Sequence, residues 1–124
     1  MRLTLDADSS VNLIRRYSAG EIVIGERSFS RPCIVSARTL NDHWEFESIQ
    51  CLTVDELMPI IRLGPEVILL GTGERQVFPP PQLLAWCVDQ RIALEPMDLG
   101  AACRTFNVLV QEERKVVGAF ALGK

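Results

Sequence analysis

The chain contains one histidine, His43. A lone histidine with no recognisable partner does not mark a nucleophile–base pair, and no Gly-x-Ser-x-Gly elbow is present. The four cysteines, Cys33, Cys51, Cys87 and Cys103, are far apart and form no Cys-x-x-Cys. Structural zinc ligands come in closely spaced pairs. No metal is therefore expected, and four buried, reduced thiols are. No apolar run approaches the length of a membrane helix. Basic residues are not in excess either: 13 Lys and Arg face 16 Asp and Glu, for a net charge of −3. Dedicated nucleic-acid binders usually carry a basic face, so neither a membrane span nor a nucleic-acid partner is expected. Met1 to Leu13 holds one Arg, two Asp and two Ser without an apolar block. This is neither a secretory signal nor an Arg-rich transit peptide, and the chain is expected to be complete and cytoplasmic. Repeats and low-complexity tracts are absent.

What is present suits a small globular protein. Residues 1–124 read as a single domain, and a chain of this size buries roughly two-thirds of its unfolded surface. Glu21–Ile24 and Arg27–Phe29, separated by Gly25-Glu26, predict a hairpin with a two-residue turn. Cys33–Ala37 reads as a strand, and so does Trp44-Glu45-Phe46 with its alternation of apolar and polar residues. Thr53 and Glu56 form a capping box, after which Val54, Leu57, Met58 and Ile61 share one helical face. Pro59 removes a backbone donor, so this helix should be short or kinked.

The second half alternates in type. Val67–Leu70 predicts a central buried strand. The prolines at 79–81 suit a helix start, and Leu83, Leu84, Cys87 and Val88 supply its inner stripe. Ile92–Leu94 reads as a strand. Asp98 can cap a last helix with Ala102, Phe106, Leu109 and Val110 on one side, and Val116–Leu122 closes the chain as a strand. Strand–helix–strand alternation implies parallel crossovers with helices covering the sheet. The fold class is a mixed-sheet α/β domain.

The Gly71-Thr72-Gly73 turn at the end of the predicted strand is the main candidate site. Glycines there permit a sharp bend and expose main-chain N–H groups, and Arg75 adds a guanidinium able to hold a small anion or carboxylate. Glu95 stands where a dinucleotide fold would place its ribose ligand. The fingerprint is incomplete, however. Gln76 occupies the third glycine position, and Val77, Phe78 and three prolines separate the turn from the helix whose N-terminus a phosphate would need. No cofactor is expected. Asn107 is a polar interruption of the last helix, suited either to a local backbone hydrogen bond or to a ligand contact. Glu112-Glu113-Arg114-Lys115 reads as a solvated turn.

Two motifs carry a resemblance: Val67-Ile68-Leu69-Leu70-Gly71-Thr72-Gly73, and Glu95-Pro96-Met97-Asp98 followed by Ala101-Ala102-Cys103-Arg104-Thr105-Phe106-Asn107-Val108-Leu109 and Glu113-Arg114. Together, from Val11 to Leu122, they resemble the Mth-type domain family of unknown function. Its members include small bacterial and archaeal proteins, the adipogenesis-associated Mth domain protein and a mitochondrial assembly factor for respiratory complex I. The resemblance implies a three-layer α/β sandwich around a mixed five-stranded sheet, with no established activity or cofactor. It implies protein binding in the eukaryotic members. Leu99 departs from the pattern, since relatives commonly carry Thr there. The expected function is a small soluble protein-interaction or assembly-factor-like module that binds a protein partner or itself. The alternative is a small-ligand domain, enzymatic or not, built on Gly71, Thr72, Gly73, Arg75 and Asn107. The balance leans away from an enzyme.

Overall fold

A computed structural model describes residues 11–123; the segment read as lacking a leader lies mostly outside them. The N-terminal third forms its own antiparallel sheet from β1 (Ile14–Ser18), β2 (Glu21–Ile24) and β3 (Arg27–Phe29), in that spatial order. The expected hairpin is present. Ile24 pairs with Arg27 across the turn, and Gly25 holds φ +61°, the left-handed conformation that such turns demand. β1 was not foreseen. Only Ile14 of its five residues is buried, so it lacks the alternation that reveals a half-buried strand.

The main sheet has the order β5-β4-β8-β6-β7. It contains β4 (Cys33–Ser36), β5 (Leu40–Asn41), β6 (Val67–Gly71), β7 (Ala93–Met97) and β8 (Val116–Phe120). β6 runs parallel to both β7 and β8, while β4 is antiparallel to β8 and β5. The sheet is thus mixed and five-stranded, with β6 in its interior. Trp44–Phe46 forms no strand. Both rings are buried with centroids 4.2 Å apart, and Trp44 Nε1 donates to the Glu56 carbonyl at 2.9 Å. Tertiary burial, not strand pairing, produces the alternation there.

α1 (Val54–Ile61) carries the expected capping box: Thr53 Oγ1 accepts from Glu56 N–H, and Glu56 Oε1 accepts from Thr53 N–H. The helix is short, with Pro59 inside it. Leu57 and Ile60 are its buried residues, not the whole predicted stripe. α2 (Pro81–Asp89) starts on a proline and buries Leu83 and Cys87, but Val88 is 70% exposed. α3 (Leu99–Gln111) begins at Asp98, whose Oδ1 accepts from Ala101 N–H at 2.9 Å.

Three layers result. Leu57, Ile60, Leu83 and Cys87 of α1 and α2 pack on Ile68, Leu70, Val117 and Ala119 of the sheet. On the other face, α3 and the small sheet pack on Cys33, Val35, Leu69, Val116 and Phe120. The chain leaves β6 through α2 to reach β7, then returns through α3 to β8 on the far side of β6. A reversal of this kind opens a crevice between two neighbouring parallel strands at their C-terminal ends, where open α/β sheets place ligands.

β7 is an edge strand, and it is blunted. Ala93 N–H donates to Glu66 and Met97 C=O accepts from Thr72, so these residues face β6. Alternation turns Leu94 and Pro96 outward. Pro96 has no N–H to offer, and Gln76 Nε2 covers its carbonyl at 2.9 Å.

Candidate functional site at the strand ends

β6, β7 and β8 stop together, and the residues that follow are tied to one another. Thr72 N–H donates to Met97 C=O at 2.8 Å, Ala121 N–H to Gly71 C=O at 2.9 Å, and Leu99 N–H to Gly73 C=O at 2.7 Å. Gly73 has φ +102°, a conformation that side chains oppose. Gly71 is needed for a different reason. A Cβ there would stand 2.9 Å from Phe120 Cδ1 and 3.3 Å from Ala102 Cβ. Its glycine makes room for the Phe120 ring, not for a ligand.

The Thr72 hydroxyl is consumed by the turn. It accepts from Val77 N–H at 3.0 Å and points its hydrogen at the carbonyls of Arg75 and Met97. Beside it lies a cavity of about 360 Å³, lined by Gly20, Gly71, Thr72, Gly73, Glu74, Arg75, Leu99, Ala121, Leu122 and Gly123. A second, of about 420 Å³, shares Gly20, Gly73, Glu74 and Leu99 and extends to Tyr17, Ser18, Ala19, Asp98 and Gly100. The β1–β2 turn and the start of α3 thus wall a groove in two lobes. Arg104 Nη1 donates to the Tyr17 hydroxyl at its rim. A Cβ on Gly100 would come within 3.0 Å of the Tyr17 ring.

The structure brings Gly71, Thr72, Gly73 and Arg75 to one cavity. Asn107 is not among its lining. Its Oδ1 accepts from Ile14 N–H at 2.8 Å, and its Nδ2 donates to Ile14 C=O at 2.9 Å. The side-chain amide acts as a substitute strand, holding β1 against α3 across 93 positions of sequence. A local backbone bond or a ligand contact was the expectation for Asn107, and sequence proximity gives no signal for a clasp of this span.

Residues 14–121 match the family described as "Protein of unknown function (DUF498/DUF598)". The chain belongs to this family. It is similar to the 13 kDa major membrane protein of Francisella tularensis, at 30% identity over 103 residues, covering 82% of this chain and 84% of that protein. It is also similar to NADH dehydrogenase (ubiquinone) 1 alpha subcomplex assembly factor 3 of Xenopus tropicalis, at 30% over 118 residues, covering 93% of this chain and 64% of the factor. The chain therefore spans less than two-thirds of that assembly factor. The solution structure of a Xanthomonas campestris protein superposes with a TM-score of 0.84 at 35% identity, covering 99% of this chain and 93% of that one. A Mth938-like domain of Bordetella pertussis shares the fold alone, with a TM-score of 0.68, 24% identity and coverage of 91% and 87%. The Mth-type resemblance is thereby established.

Elsewhere in this DUF498/DUF598 domain, groups with chemical potential serve the fold or stand apart. His43 is on the surface, its side chain 69% exposed and 3.4 Å from Asp42. It lines a separate cavity of about 310 Å³ with Trp44, Glu45, Asp55 and Glu56. Both Glu56 oxygens are occupied, by Thr53 N–H and Glu47 N–H. Cys33, Cys87 and Cys103 are buried, but Cys51 is exposed, against expectation. Burial, the largest cause, pushes the Cys33 and Cys103 thiols up to about 12 and raises Cys87 as well, which makes them poor nucleophiles at neutral pH. Among the described residues, no group of three or more His, Cys, Asp or Glu is arranged to hold a metal ion, and no helix is long and apolar enough to cross a membrane. Tyr17, Gly20 and the segment Ala121–Gly123 line the groove without having been foreseen, whereas Leu99 falls in the candidate pocket as expected. The Ala19-Gly20 turn signal between two strands was the available clue to the first two.

Proposed function

We propose that this chain is a protein-interaction module of the assembly-factor kind that catalyses nothing itself. The observation that carries this reading is how the groove's polar side chains are used. The Thr72 hydroxyl is shared among three main-chain groups, and Asp98 caps α3. The rest of the lobe around Thr72 is lined by glycine main chain, by Leu99, Ala121 and Leu122, and by Glu74 and Arg75. Phe78 stands 59% exposed in the loop that leads from the groove to α2. Apolar side chains offered beside main-chain groups suit the contacts of a protein partner. Similarity to an assembly factor over 93% of this chain supports the same reading. It carries over a mode of action, not a particular complex. The reading takes residues 1–124 as one working unit and places it in the cytoplasm.

Affinity capture with the tagged chain should recover a reproducible partner or a second copy, and Phe78→Asp should lower the recovery. Turnover of ester, phosphate or nicotinamide substrates by the purified chain would overturn the proposal. Recovery in membranes that resist an alkaline wash would overturn the cytoplasmic placement.

One observation favours a second reading, a small-anion site on the Gly71-Thr72-Gly73 turn. Arg75 lines the cavity, and its guanidinium has no protein acceptor among the described residues. Phosphate or small carboxylates should then raise Tm, and Arg75→Ala should abolish the rise. A panel that leaves Tm flat retires this reading.

A further inference from the structure

The side of α2 that faces away from the sheet carries apolar residues beside the polar Gln82 and Asp89. Leu83 and Cys87 point inward and are buried. Pro81, Ala85 and Val88, spaced i, i+4 and i+7, are exposed, with Val88 at 70%. Leu84 is half-buried beside them. Apolar residues gathered on the outer side of a helix offer a surface that a partner can cover.

The ends of α2 are also electrically inverted. No side chain caps its N-terminus, no acidic residue lies in its first turn, and no basic residue lies in its last. The one charged residue, Asp89, closes the C-terminal end, where the helix's own field disfavours a carboxylate. A neighbour with the reverse arrangement would relieve both ends, and an antiparallel copy of the same helix is such a neighbour.

We infer that the chain pairs with a second copy of itself through antiparallel packing of α2 on α2 about a two-fold axis at Ala85. The inference rests on the reading of the chain as a protein-interaction module and names its partner. With Ala85 on the axis, each residue meets the one equally far on the other side of position 85. Val88 then faces Gln82 of the second copy. Asp89, about 6 Å along the helix from the axis at 1.5 Å per residue, meets the second copy's Pro81 and its uncapped helix start. Both ends gain this contact, because a two-fold interface repeats every contact. Alanine at the crossing point lets the two helices approach closely.

Sedimentation velocity on the full chain, from roughly 1 to 500 micromolar, reads the pairing directly. The wild-type chain should show a concentration-dependent dimer. Val88→Arg should weaken it by at least about tenfold while keeping the wild-type urea midpoint. Val108→Arg, on the outer side of α3 where Val108 is 51% exposed, should leave it unchanged. Asp89→Asn should weaken it by about threefold to tenfold at low salt, less so at high salt. Ala85→Cys in a Cys51→Ser background should form a disulfide-linked dimer under mild oxidation, and Cys51→Ser alone should not. A chain that stays monomeric over the whole range, a dimer that ignores Val88→Arg, or an Ala85→Cys variant that fails to cross-link overturns the inference. A monomer that still captures another protein overturns this pairing and leaves the interaction reading intact; a monomer that captures nothing removes both.

Discussion

The α3 side of the five-stranded sheet and its α1/α2 side bury similar sets of apolar residues, yet they are fastened differently. On the α3 side, polar groups fix the parts in place. Asn107 holds β1 by both of its amide functions, and Asp98 sets the start of a thirteen-residue helix. Phe106 meets Phe120 edge-on, with centroids 6.1 Å apart and planes at 77°. That pair requires glycine nearby, since a Cβ on Gly118 would stand 2.5 Å from the Phe120 ring. On the other side two short helices lie on the sheet, one interrupted by Pro59 and the other without a side-chain cap. Apolar burial holds them, helped at α1 by the Thr53–Glu56 capping box and by the Trp44 bond to Glu56. The difference teaches that the α3 side is specified inwardly, by bonds that only one arrangement satisfies, while the α2 side keeps apolar surface facing outward.

Thiol labelling makes the widest test of this contrast. Cys51 should react at the rate of an ordinary exposed thiol. The buried three must wait for an opening event, which slows them by on the order of a thousandfold or more. Cys87 should label before Cys33 and Cys103, because the α2 side opens first; the reverse order would break the comparison. The same thiols give a pH signature. Cys33 and Cys103 are raised from 9.0 to about 12 in the folded chain, so their contribution is intact below pH 9.0. Above it, unfolded thiols release protons that folded ones keep, and stability falls as pH rises towards 12. Urea midpoints followed across that range should decline, and Cys33→Ala with Cys103→Ala should flatten the decline.

Among single substitutions, Phe106→Ala should cost the most, about 3–5 kcal/mol in urea melts for a fully buried ring; a loss below about 1 kcal/mol would deny the α3 side its core. Asn107→Ala strips partners from two partly buried backbone groups and should cost about 2 kcal/mol, with hydrogen-exchange protection lost at Ile14. Asn107→Asp keeps the acceptor and loses the donor, so Ile14 N–H should stay protected longer than in Asn107→Ala. Asp98→Ala removes a helix cap for about 1 kcal/mol, and circular dichroism with a melt detects it. Val88→Asp should move the stability of the monomer by less than about 0.5 kcal/mol. A larger loss would mean that α2 buries its outer side within its own chain, and the contrast would vanish.

The parts of this fold legible in the sequence are those set by local chemistry. Gly25 announced its turn, Thr53 and Glu56 their box, Pro81 and Asp98 the starts of their helices, and Val67–Leu70 an interior strand. What escaped was decided by distant neighbours. Trp44 and Phe46 alternate like a strand because one loop turns both rings into the core. Val88 and Ile60 exchanged expected burial because a helix of two or three turns tolerates a rotated inner face. β1 showed no pattern because Ile14 alone turns inward and Asn107 holds its main chain. The candidate site divided along the same line. Gly71, Thr72, Gly73 and Arg75, neighbours in sequence, share a cavity, while Asn107 belongs to a contact 93 positions away.

The covering of Pro96 by Gln76 has a consequence for how molecules of this kind can meet. An open strand edge recruits any extended chain, whatever its sequence, and each addition creates a fresh edge for the next. At β7 that route is interrupted at Pro96, a residue with no hydrogen to give and a carbonyl already taken. Encounters next to α2 must therefore be read by side chains, which recognise particular partners and stop once matched. Gln76→Ala would reopen the carbonyl, and the variant should gain a slow growth of higher assemblies on prolonged concentration while its folding stability barely changes. A surface built in this way is adjusted one residue at a time and ends in a counted complex instead of a fibre.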